Sequence, residues 1–303
     1  MNAVIRLRDD IRRFILSREM LFVKIWSALV AFVGLMCIRV NFGYNKTISQ
    51  LWVSIIIALV CAFFPIQGVS IVLTVVLLVD LVSLSLETAV VALGLVVISY
   101  FVCAYFRSKN TYNIVAVPIC FSFNSPYMMA LGTGLLSNIN EICSIFCGSV
   151  TAYYLHIIKA NAAAIIDETS DVSMVALLQE QMIGNRMFYF FLIAMMAMFL
   201  VVYFLRQTSI KMSWIVADCV GVAVEFIIML TGYLLTSQKG EIGGLVFGNI
   251  LVLLLGFILN YFILDLDYSR IEKVQFEDDD YYYYVTAVPK IRIVEEDKEI
   301  KKI

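Results

Sequence analysis

Charged residues, histidine and proline are all scarce in this chain. Only 15% of its 303 residues are charged, and it contains one histidine and four prolines. A typical soluble domain has about a quarter of its residues charged, so the composition excludes an ordinary soluble domain. The formal net charge of −2 at pH 7 shows no excess of positive charge, and no nucleic-acid partner is predicted.

Recognisable catalytic and cofactor-binding motifs are also missing. The sequence has no His-Glu-x-x-His pair, no nucleotide-binding loop and no cluster of acidic residues with metal-ligand spacing. We therefore predict that the protein is not an enzyme, that it has no catalytic or metal site, and that it needs no cofactor. The cysteines fall mostly inside apolar segments, where they are predicted to act as small hydrophobic residues.

Long apolar stretches are what the chain has instead. Hydrophobic residues make up 62% of the sequence, and the mean hydropathy is +0.91. Stretches such as 89–106 and 245–264 are apolar on every side rather than on one face, which indicates that lipid is their solvent. We predict an all-α fold, a polytopic transmembrane helix bundle with about eight spans and with nine spans as the alternative.

The chain divides into three parts. Residues 1–20 are predicted to form a basic amphipathic cytoplasmic helix, residues 21–264 the transmembrane bundle, and residues 265–303 a soluble tail. Within the bundle, residues 159–186 mix acidic and apolar side chains and are predicted to form an interfacial loop. The spans are predicted at 21–40, 48–64, 68–85, 87–106, 140–158, 187–205, 213–236 and 243–264.

One further apolar segment, residues 113–136, is interrupted in a way that the other segments are not. It contains Pro118, Pro126 and two nearby glycines. Proline removes a backbone donor and disfavours helix in the residue before it. Irregular backbone at membrane depth is tolerated only where protein or water covers it. We therefore predict a broken or re-entrant element that does not cross the membrane.

The status of this segment decides where the termini lie. With eight crossings, both termini and the basic pairs Arg107/Lys109 and Arg206/Lys211 lie in the cytoplasm, which agrees with the positive-inside tendency. With nine crossings, the tail lies outside. We predict the first arrangement and keep the second as the alternative.

Two acidic residues, Asp80 and Glu225, lie inside apolar segments. An acidic residue at the centre of a span costs roughly 3 kcal/mol on insertion scales, so each should face the interior of the bundle. Such groups serve ion or proton pathways; the alternative is a neutralised acid that hydrogen-bonds a neighbouring helix. Together with Asn124 of the broken segment, they form the candidate intramembrane polar site. Glu87 and Asp218 lie nearer the span ends and are predicted to be interfacial.

Two smaller patterns carry predictions of their own. Gly240, Gly244 and Gly248 repeat every four residues, a spacing that lets helix backbones approach closely, so this face is predicted to pack against a neighbouring helix. His156, the single histidine, follows two tyrosines and is predicted to lie in an aromatic belt at the end of a span.

The tail carries a run of aromatic residues beside an acidic stretch. Tyr281, Tyr282, Tyr283, Tyr284 and Val285 favour strands and follow residues 277–280, which are all acidic. Residues 274–277 and 281–288 are predicted to pair as a hairpin across this acidic turn. Because an isolated hairpin is marginally stable in water, it should dock on a protein partner or on a second copy of the chain. A partly disordered tail and a tyrosine phosphorylation site are the alternatives.

Several segments of the C-terminal half are similar to a known family. They are Tyr203-Phe204-Leu205-Arg206 to Trp214, Asp267-Tyr268-Ser269-Arg270, Val274-Gln275-Phe276-Glu277-Asp278-Asp279-Asp280-Tyr281-Tyr282-Tyr283-Tyr284 and Ala287-Val288-Pro289-Lys290. They resemble the ending of a family of uncharacterised polytopic membrane proteins of Gram-positive anaerobes. The resemblance implies bacterial origin and a plasma-membrane location, and it implies no activity.

Two functions are compatible with these features. The first is a non-enzymatic subunit or scaffold of a bacterial envelope complex, whose tail docks a protein partner or forms a homo-oligomer. The alternative is a small ion- or proton-coupled transporter that uses Glu225 and Asp80 together with the broken segment. Both functions require the lipid bilayer as a partner.

Overall fold

The bundle is built from helices joined by short turns. A computed structural model describes residues 11, 13–166, 178–208, 212–237, 240, 242–264, 272–277 and 282–287. Its helices are α1 (Glu19–Asn41), α2 (Leu51–Cys61), α3 (Ile66–Leu84), α4 (Leu86–Tyr105), α5 (Asn113–Ser122), α6 (Tyr127–Leu136), α7 (Ile142–Ile166), α8 (Arg186–Arg206), α9 (Ser213–Leu235) and α10 (Ile242–Leu259). A 3-10 turn (Ile139–Glu141) precedes α7, and π-helical turns (Gln179–Ile183 and Asn260–Leu264) precede α8 and follow α10.

Seven helical segments within the described residues are long and apolar enough to cross a membrane. They contain α1, α3, α4, α7, α8, α9 and α10. The bilayer core holds no water to satisfy backbone groups, so these apolar runs form helices, which bond their own N–H and C=O groups. The fold is therefore an all-α polytopic bundle, as predicted, and the protein is a multi-pass integral membrane protein.

The predicted span 48–64 is the exception in length. It is helical only in α2, which has 11 residues and is therefore about 16 Å long. α2 ends at Cys61 and is followed by a short turn that leads to Pro65. The chain makes this passage with a short helix and irregular residues on either side, although the hydrocarbon core is about 30 Å thick.

One end of the bundle gathers the turns that follow α4, α6 and α8. Asn110 Nδ2, in the turn before α5, donates to Ser137 Oγ, just after α6, at 2.6 Å. Arg206, at the end of α8, donates to the backbone carbonyls of Leu135 and Ser137. We call this the hairpin end.

The opposite end gathers the turns that follow α1, α3 and α7, and we call it the chamber end. Asn45 N donates to Asp80 Oδ1 at 2.8 Å, and Lys159 Nζ donates to Asn41 Oδ1 at 2.7 Å. The chain runs between the two ends in alternating directions. It does so through α1, α2, α3, α4, α7, α8, α9 and α10. The chain therefore passes eight times between the ends, and α1 begins and α10 ends at the hairpin end.

The interrupted segment 113–136 folds back on itself. Its two helices, α5 and α6, have 10 residues each, so each is about 15 Å long, half the thickness of the hydrocarbon core. Asn113 Nδ2, at the start of α5, donates to Thr133 Oγ1, near the end of α6, at 3.3 Å. Both outer ends of this pair therefore lie at the hairpin end, and its tip at 123–126 lies near mid-depth.

The helix of the span predicted at 140–158 continues as α7 to Ile166, because Lys159 and Asn161 find polar partners at the chamber end and do not end the helix. Asn161 Nδ2, for example, donates to Gln181 Oε1 at 2.7 Å. Residues 167–177 of the predicted interfacial loop, and residues 1–10 and 12 of the predicted N-terminal amphipathic helix, lie outside the described residues.

The largest hydrophobic core surrounds α8. Leu131 of α6, Ile145 of α7, Met195 and Phe199 of α8, and Val252 of α10 belong to it and are all fully buried. α6 packs against α8 and α10, whereas α5 packs mainly against α7. The two halves of the re-entrant hairpin are thus held by different helices, with the core on the α6 side.

In the tail, the backbone forms a hairpin of two paired strands. Strands β1 (Glu272–Glu277) and β2 (Tyr282–Ala287) are antiparallel, with Val274 opposite Val285. Tyr281 lies outside the described residues. The docking role assigned to Tyr281, Tyr282, Tyr283, Tyr284 and Val285 stays a prediction.

Candidate functional site

Glu225 lies near the middle of α9 and is 0% exposed. The side chains of Tyr127 and Asn249 face it from α6 and α10. Neither carboxylate oxygen of Glu225, and neither amide atom of Asn249, has a hydrogen-bond partner of good geometry among the described residues. Burying a polar group without a partner is costly, so these two side chains mark a candidate functional site.

The tip of the re-entrant hairpin meets α10 beside this acid. Asn124 has a left-handed backbone conformation with φ 56°, which asparagine tolerates better than most residues. Its carbonyl oxygen points at Gly248, where a Cβ atom would overlap it. Only glycine therefore allows this approach, and because Asn249 is the next residue, the hairpin tip and Glu225 belong to one site.

The predicted packing role of the glycine series holds for one member only. Gly248 packs against the hairpin tip, but a Cβ atom at Gly240 or Gly244 would meet nothing within 4 Å. Both of these glycines line a chamber instead. Their small size keeps that side of the chamber wide, because no other helix among the described residues fills the space.

The chamber has a volume of about 600 Å³ and runs from the hairpin tip to the chamber end. Asn124, Pro126 and Tyr127 form its inner wall, and its outer part is lined by residues such as Ala160 and Gln181. No Lys or Arg is among the lining residues within the described part of the chain. Tyr127, whose side chain faces Glu225, separates the chamber from the buried acid.

His156 lies in the wall of this chamber, and its predicted place in an aromatic belt stays a prediction. Because α7 continues to Ile166, His156 lies well inside the helix. Its ring centroid is 5.3 Å from that of Phe121 and 6.2 Å from that of Tyr153. It lines both the chamber and a neighbouring cavity of about 190 Å³ between α1, α3, α4, α5 and α7.

A second buried acid, Asp218, lies on the same helix as Glu225. It is 0% exposed, so the prediction that it is interfacial is wrong. Asn260 Nδ2 donates to Asp218 Oδ2, and a Cβ atom at Gly256 would lie 2.7 Å from the same oxygen. The absence of a side chain at Gly256 thus creates the space that holds this acid, which hydropathy near a helix start does not reveal.

Asp80 is not part of the Glu225 site. It lies near the end of α3 at the chamber end, is 1% exposed, and accepts a hydrogen bond from Asn45 N at 2.8 Å. The backbone amides of Gly43 and Tyr44 face the same carboxylate. This arrangement fixes the turn after α1, so the structure separates two residues that the sequence analysis grouped together.

Glu141, at the hairpin end, is a buried acid that the sequence analysis missed. Its carboxylate accepts hydrogen bonds from Ser108 Oγ at 2.5 Å, Lys109 N at 2.7 Å and Asn110 N at 3.0 Å. At the other arm of the hairpin, Arg206 from the end of α8 donates to the carbonyls at the end of α6. These two residues fix the outer ends of the hairpin and leave its tip to face the chamber.

The partners of Glu225 were also missed. Asn249 carries a signal in the sequence, because an amide in the middle of an apolar helix is costly unless it has a polar neighbour. Tyr127 carries none, because it resembles any aromatic residue beside a proline. Their convergence on Glu225 depends on the fold of the hairpin, which joins residues distant in sequence.

The chemistry of the site is that of a proton or cation acceptor. Within the described residues, no group of three or more His, Cys, Asp and Glu is placed to hold a metal ion. The carboxylate, amide and phenol oxygens around Glu225 nevertheless form a polar group in an apolar interior. Comparison with known protein families, with functionally described proteins and with solved structures gives no match for this chain.

Proposed function

We propose that the protein is a membrane transport protein whose binding site is the chamber that ends at Tyr127, with the buried acid Glu225 behind it. The observation that carries this proposal is a buried acid that has no hydrogen bond of good geometry among the described residues and lies beneath a chamber whose described lining contains no Lys or Arg. Such a site favours positive charge and disfavours negative charge. The transported species is therefore a proton, a small cation, or a solute that moves together with one of them.

The re-entrant hairpin supports the proposal. Irregular backbone at mid-depth is tolerated where it lines a cavity, and broken helices form the binding sites of many transporter folds. On the chamber side, the tip is reached through the chamber, whereas on the hairpin side Leu131, Phe199 and Val202 close the core. A site that is open to one end and closed to the other is one of the two states that alternating access requires.

We further infer that the hairpin end faces the cytoplasm of a bacterial cell and that the membrane is the plasma membrane. Positive residues are concentrated on the segments at or leading to this end, in keeping with the positive-inside tendency. Among the described residues they are Arg13, Arg18, Lys24, Arg107, Lys109 and Arg206, against Arg39, Lys46, Lys159 and Arg186 towards the chamber end.

Access to the chamber is tested by labelling. In a cysteine-free version of the full chain, single cysteines replace Ala160 and Tyr233, which line the chamber, and Val252, which is buried in the core. An impermeant thiol reagent added from the chamber side should label the first two and spare the third. Equal protection of all three positions would contradict the proposal, because the chamber would then be closed to water.

Transport is tested in lipid vesicles that contain the full-length protein. Uptake of radioactive sodium and rubidium, and acidification reported by an internal pH dye, are measured under an imposed potassium diffusion potential. Glu225→Gln should reduce whichever flux the wild type shows by about a hundredfold, the effect of losing a proton-transfer or charge-binding group. Glu180→Gln, an exposed acid at the chamber end, is the matched control. Full flux in Glu225→Gln would rule out the assigned role of this residue.

The scaffold function remains a second candidate because of the tail. The paired backbones of β1 and β2 leave outer strand edges, which is where a partner strand adds in β-augmentation. In this case the tail docks a protein partner or a second copy of the chain, and the bundle anchors the complex in the membrane.

This candidate is tested by affinity capture from membranes. Proline at Tyr283 removes a backbone donor from β2 and should release a partner or dissolve an oligomer, while the bundle still inserts. Serine at both Tyr282 and Tyr284 keeps the charge unchanged and tests one alternating set of residues. Unchanged assembly and growth after deletion of residues 272–303 would remove the support for the scaffold.

A further inference from the structure

The interface between α9 and α10 contains two pairs of the same kind, each made of an acid on α9 and an amide towards α10. Glu225 meets Asn249, and Asp218 meets Asn260. Asp218 lies seven residues before Glu225, which is close to two helical turns, so both acids lie on one face of α9. Along the helix axis they are about 10 Å apart. Glu225 lies beneath the chamber, and Asp218 lies towards the hairpin end.

Each pair lacks one proton donor. Asn260 Nδ2 donates to Asp218 Oδ2, while Asp218 Oδ1 and Asn260 Oδ1 have no partner among the described residues. An acid and an amide form two mutual hydrogen bonds only when the acid is protonated, because the amide N–H serves one oxygen and the acid O–H serves the amide oxygen. One proton would therefore supply the donor that both orphan oxygens lack.

The pair at Glu225 shows the same deficit. Both of its carboxylate oxygens and both amide atoms of Asn249 are buried without a good hydrogen bond within the described residues. A proton on Glu225 makes the acid a donor to the amide oxygen and leaves its other oxygen free to accept from the amide nitrogen. Protonation thus turns two unfavourable buried groups into one satisfied pair.

We propose that the α9–α10 interface carries protons, with Glu225 as the station facing the chamber and Asp218 as the station facing the hairpin end. The inference rests on the transport function proposed above and names its coupling ion. A proton from water in the chamber binds the Glu225 carboxylate, passes to the Asp218 carboxylate, and leaves to water at the hairpin end. Each transfer breaks one O–H bond and forms another, and no electrons are exchanged.

The contacts of Asp218 favour a proton over a metal cation. A metal ion needs several oxygen ligands directed at it, but the group directed at Asp218 is the amide N–H of Asn260, which is a donor. Gly256, the other described contact, contributes no side chain. Arg206 does not neutralise the acid through the bonds described for it, which go to the carbonyls of Leu135 and Ser137.

An apolar layer separates the two stations in this conformation. Val222 of α9 and Val252 of α10 lie between them along their helices and are both buried. Direct transfer between Glu225 and Asp218 is therefore interrupted, and a change in the packing of α9 on α10 is needed to join them. Such a break is what prevents a continuous leak of protons through the bundle.

The experiment measures proton flux and protonation in the same preparations. Full-length protein in lipid vesicles, in buffer free of sodium, is driven by a potassium diffusion potential, and an internal dye reports pH. Infrared difference spectra in light and heavy water report the C=O stretching band of a protonated carboxyl group. Wild type, Asp218→Asn, Glu225→Gln and the control Glu180→Gln are compared after thermal melting confirms that each is folded.

We expect wild type and Glu180→Gln to move protons, and both Asp218→Asn and Glu225→Gln to lose flux by about a hundredfold. Each of the two variants should also lose a carboxylic acid band. If Asp218→Asn shows wild-type proton flux, the role of Asp218 is overturned. If Glu225→Gln has lost its flux in the same experiment, the transport function still stands. Sodium or rubidium movement without proton movement would overturn the proton assignment alone. Protection of the chamber cysteines from the thiol reagent would instead contradict the transport function itself.

Discussion

At the scale of single residues, the buried acids of this bundle fall into two groups. Glu141 and Asp80 accept hydrogen bonds from backbone amides and hold turns in place. Asp80 Oδ2 lacks a partner among the described residues, as do Asp218 Oδ1 and both oxygens of Glu225, but Glu225 and Asp218 are faced by side chains and by no backbone amide of the described residues. An acid that accepts several hydrogen bonds stabilises the fold, whereas an unsatisfied one destabilises it and is retained for another reason.

This difference predicts opposite effects of the same substitution. Glu141→Gln should lower the free energy of unfolding by about 2 kcal/mol, because at least one of its donors loses its acceptor. Glu225→Gln should raise it by about 1 kcal/mol in mildly alkaline buffer, because it removes a buried charge that lacks a partner. Titration with a denaturing detergent measures both. Shifts in the same direction would show that the two acids do not differ in this way.

The sequence allows part of this residue-level description to be predicted. Glu225 and Asp80 stand out because each interrupts an apolar run, and both are indeed buried. Their separation into different environments is not predictable, because it depends on the loop of Asn45 and on the amide of Asn249. Both contacts join residues distant in sequence, and hydropathy along the chain contains no information about such pairs.

At the scale of elements, the re-entrant hairpin depends on two close approaches of backbone to backbone. Its tip carbonyl at Asn124 faces Gly248 of α10, and its first residue, Asn113, has its carbonyl oxygen 2.5 Å from the position of a Cβ atom at Gly148 of α7. Backbone sits against backbone at both places. The hairpin is therefore positioned by glycines on the helices that surround it, and not by its own sequence alone.

A methyl group added at Gly248 should displace the tip. Gly248→Ala places a Cβ atom against the Asn124 carbonyl, so we expect lower thermal stability and altered labelling of a cysteine at Ala160 in the chamber. Gly243→Ala is the matched control, since a Cβ atom there meets nothing within 4 Å on the same helix. Its expected effect is a small gain in stability, because alanine favours helix over glycine by roughly 1 kcal/mol. Equal behaviour of the two variants would contradict the described contact.

Elements were predictable where local chemistry decides them. The prolines and glycines of 113–136 indicate a broken segment, because each removes a backbone bond or lowers helix stability locally. The length of α2 and the end of α7 were not predictable from hydropathy. α2 ends at Cys61, three residues before the one that precedes Pro65, and in α7 Lys159 bonds Asn41 and lets the helix continue.

At the scale of the whole molecule, eight passes put the start of α1 and the end of α10 at the same end. Single cysteines replacing Lys46, Arg107 and Glu295 in a cysteine-free version test this in intact cells. We expect an impermeant thiol reagent to label position 46 and to spare positions 107 and 295. Labelling of position 295 together with protection of position 107 would place the tail outside and favour nine crossings.

The number of passes could be predicted from the sequence, because the basic pairs and the interrupted segment together favour an even count. The chamber could not. It arises because α7 extends beyond its predicted end and because Gly240 and Gly244 leave space where helix packing was expected. Empty space between helices depends on small residues that leave a gap, and the sequence does not show whether a neighbouring helix fills that gap.

The depth of the chamber has a consequence for how the protein responds to membrane voltage. Solution that fills the chamber carries the potential of its own side to the hairpin tip, so most of the transmembrane voltage falls across the remaining half of the bilayer. A charge that reaches Glu225 crosses little of this field, and a charge that continues to Asp218 crosses much of it. Moving one elementary charge across the full voltage is worth about 2.3 kcal/mol per 100 mV. The membrane potential should therefore change the rate of the step beyond Glu225 and leave occupation of Glu225 almost unchanged.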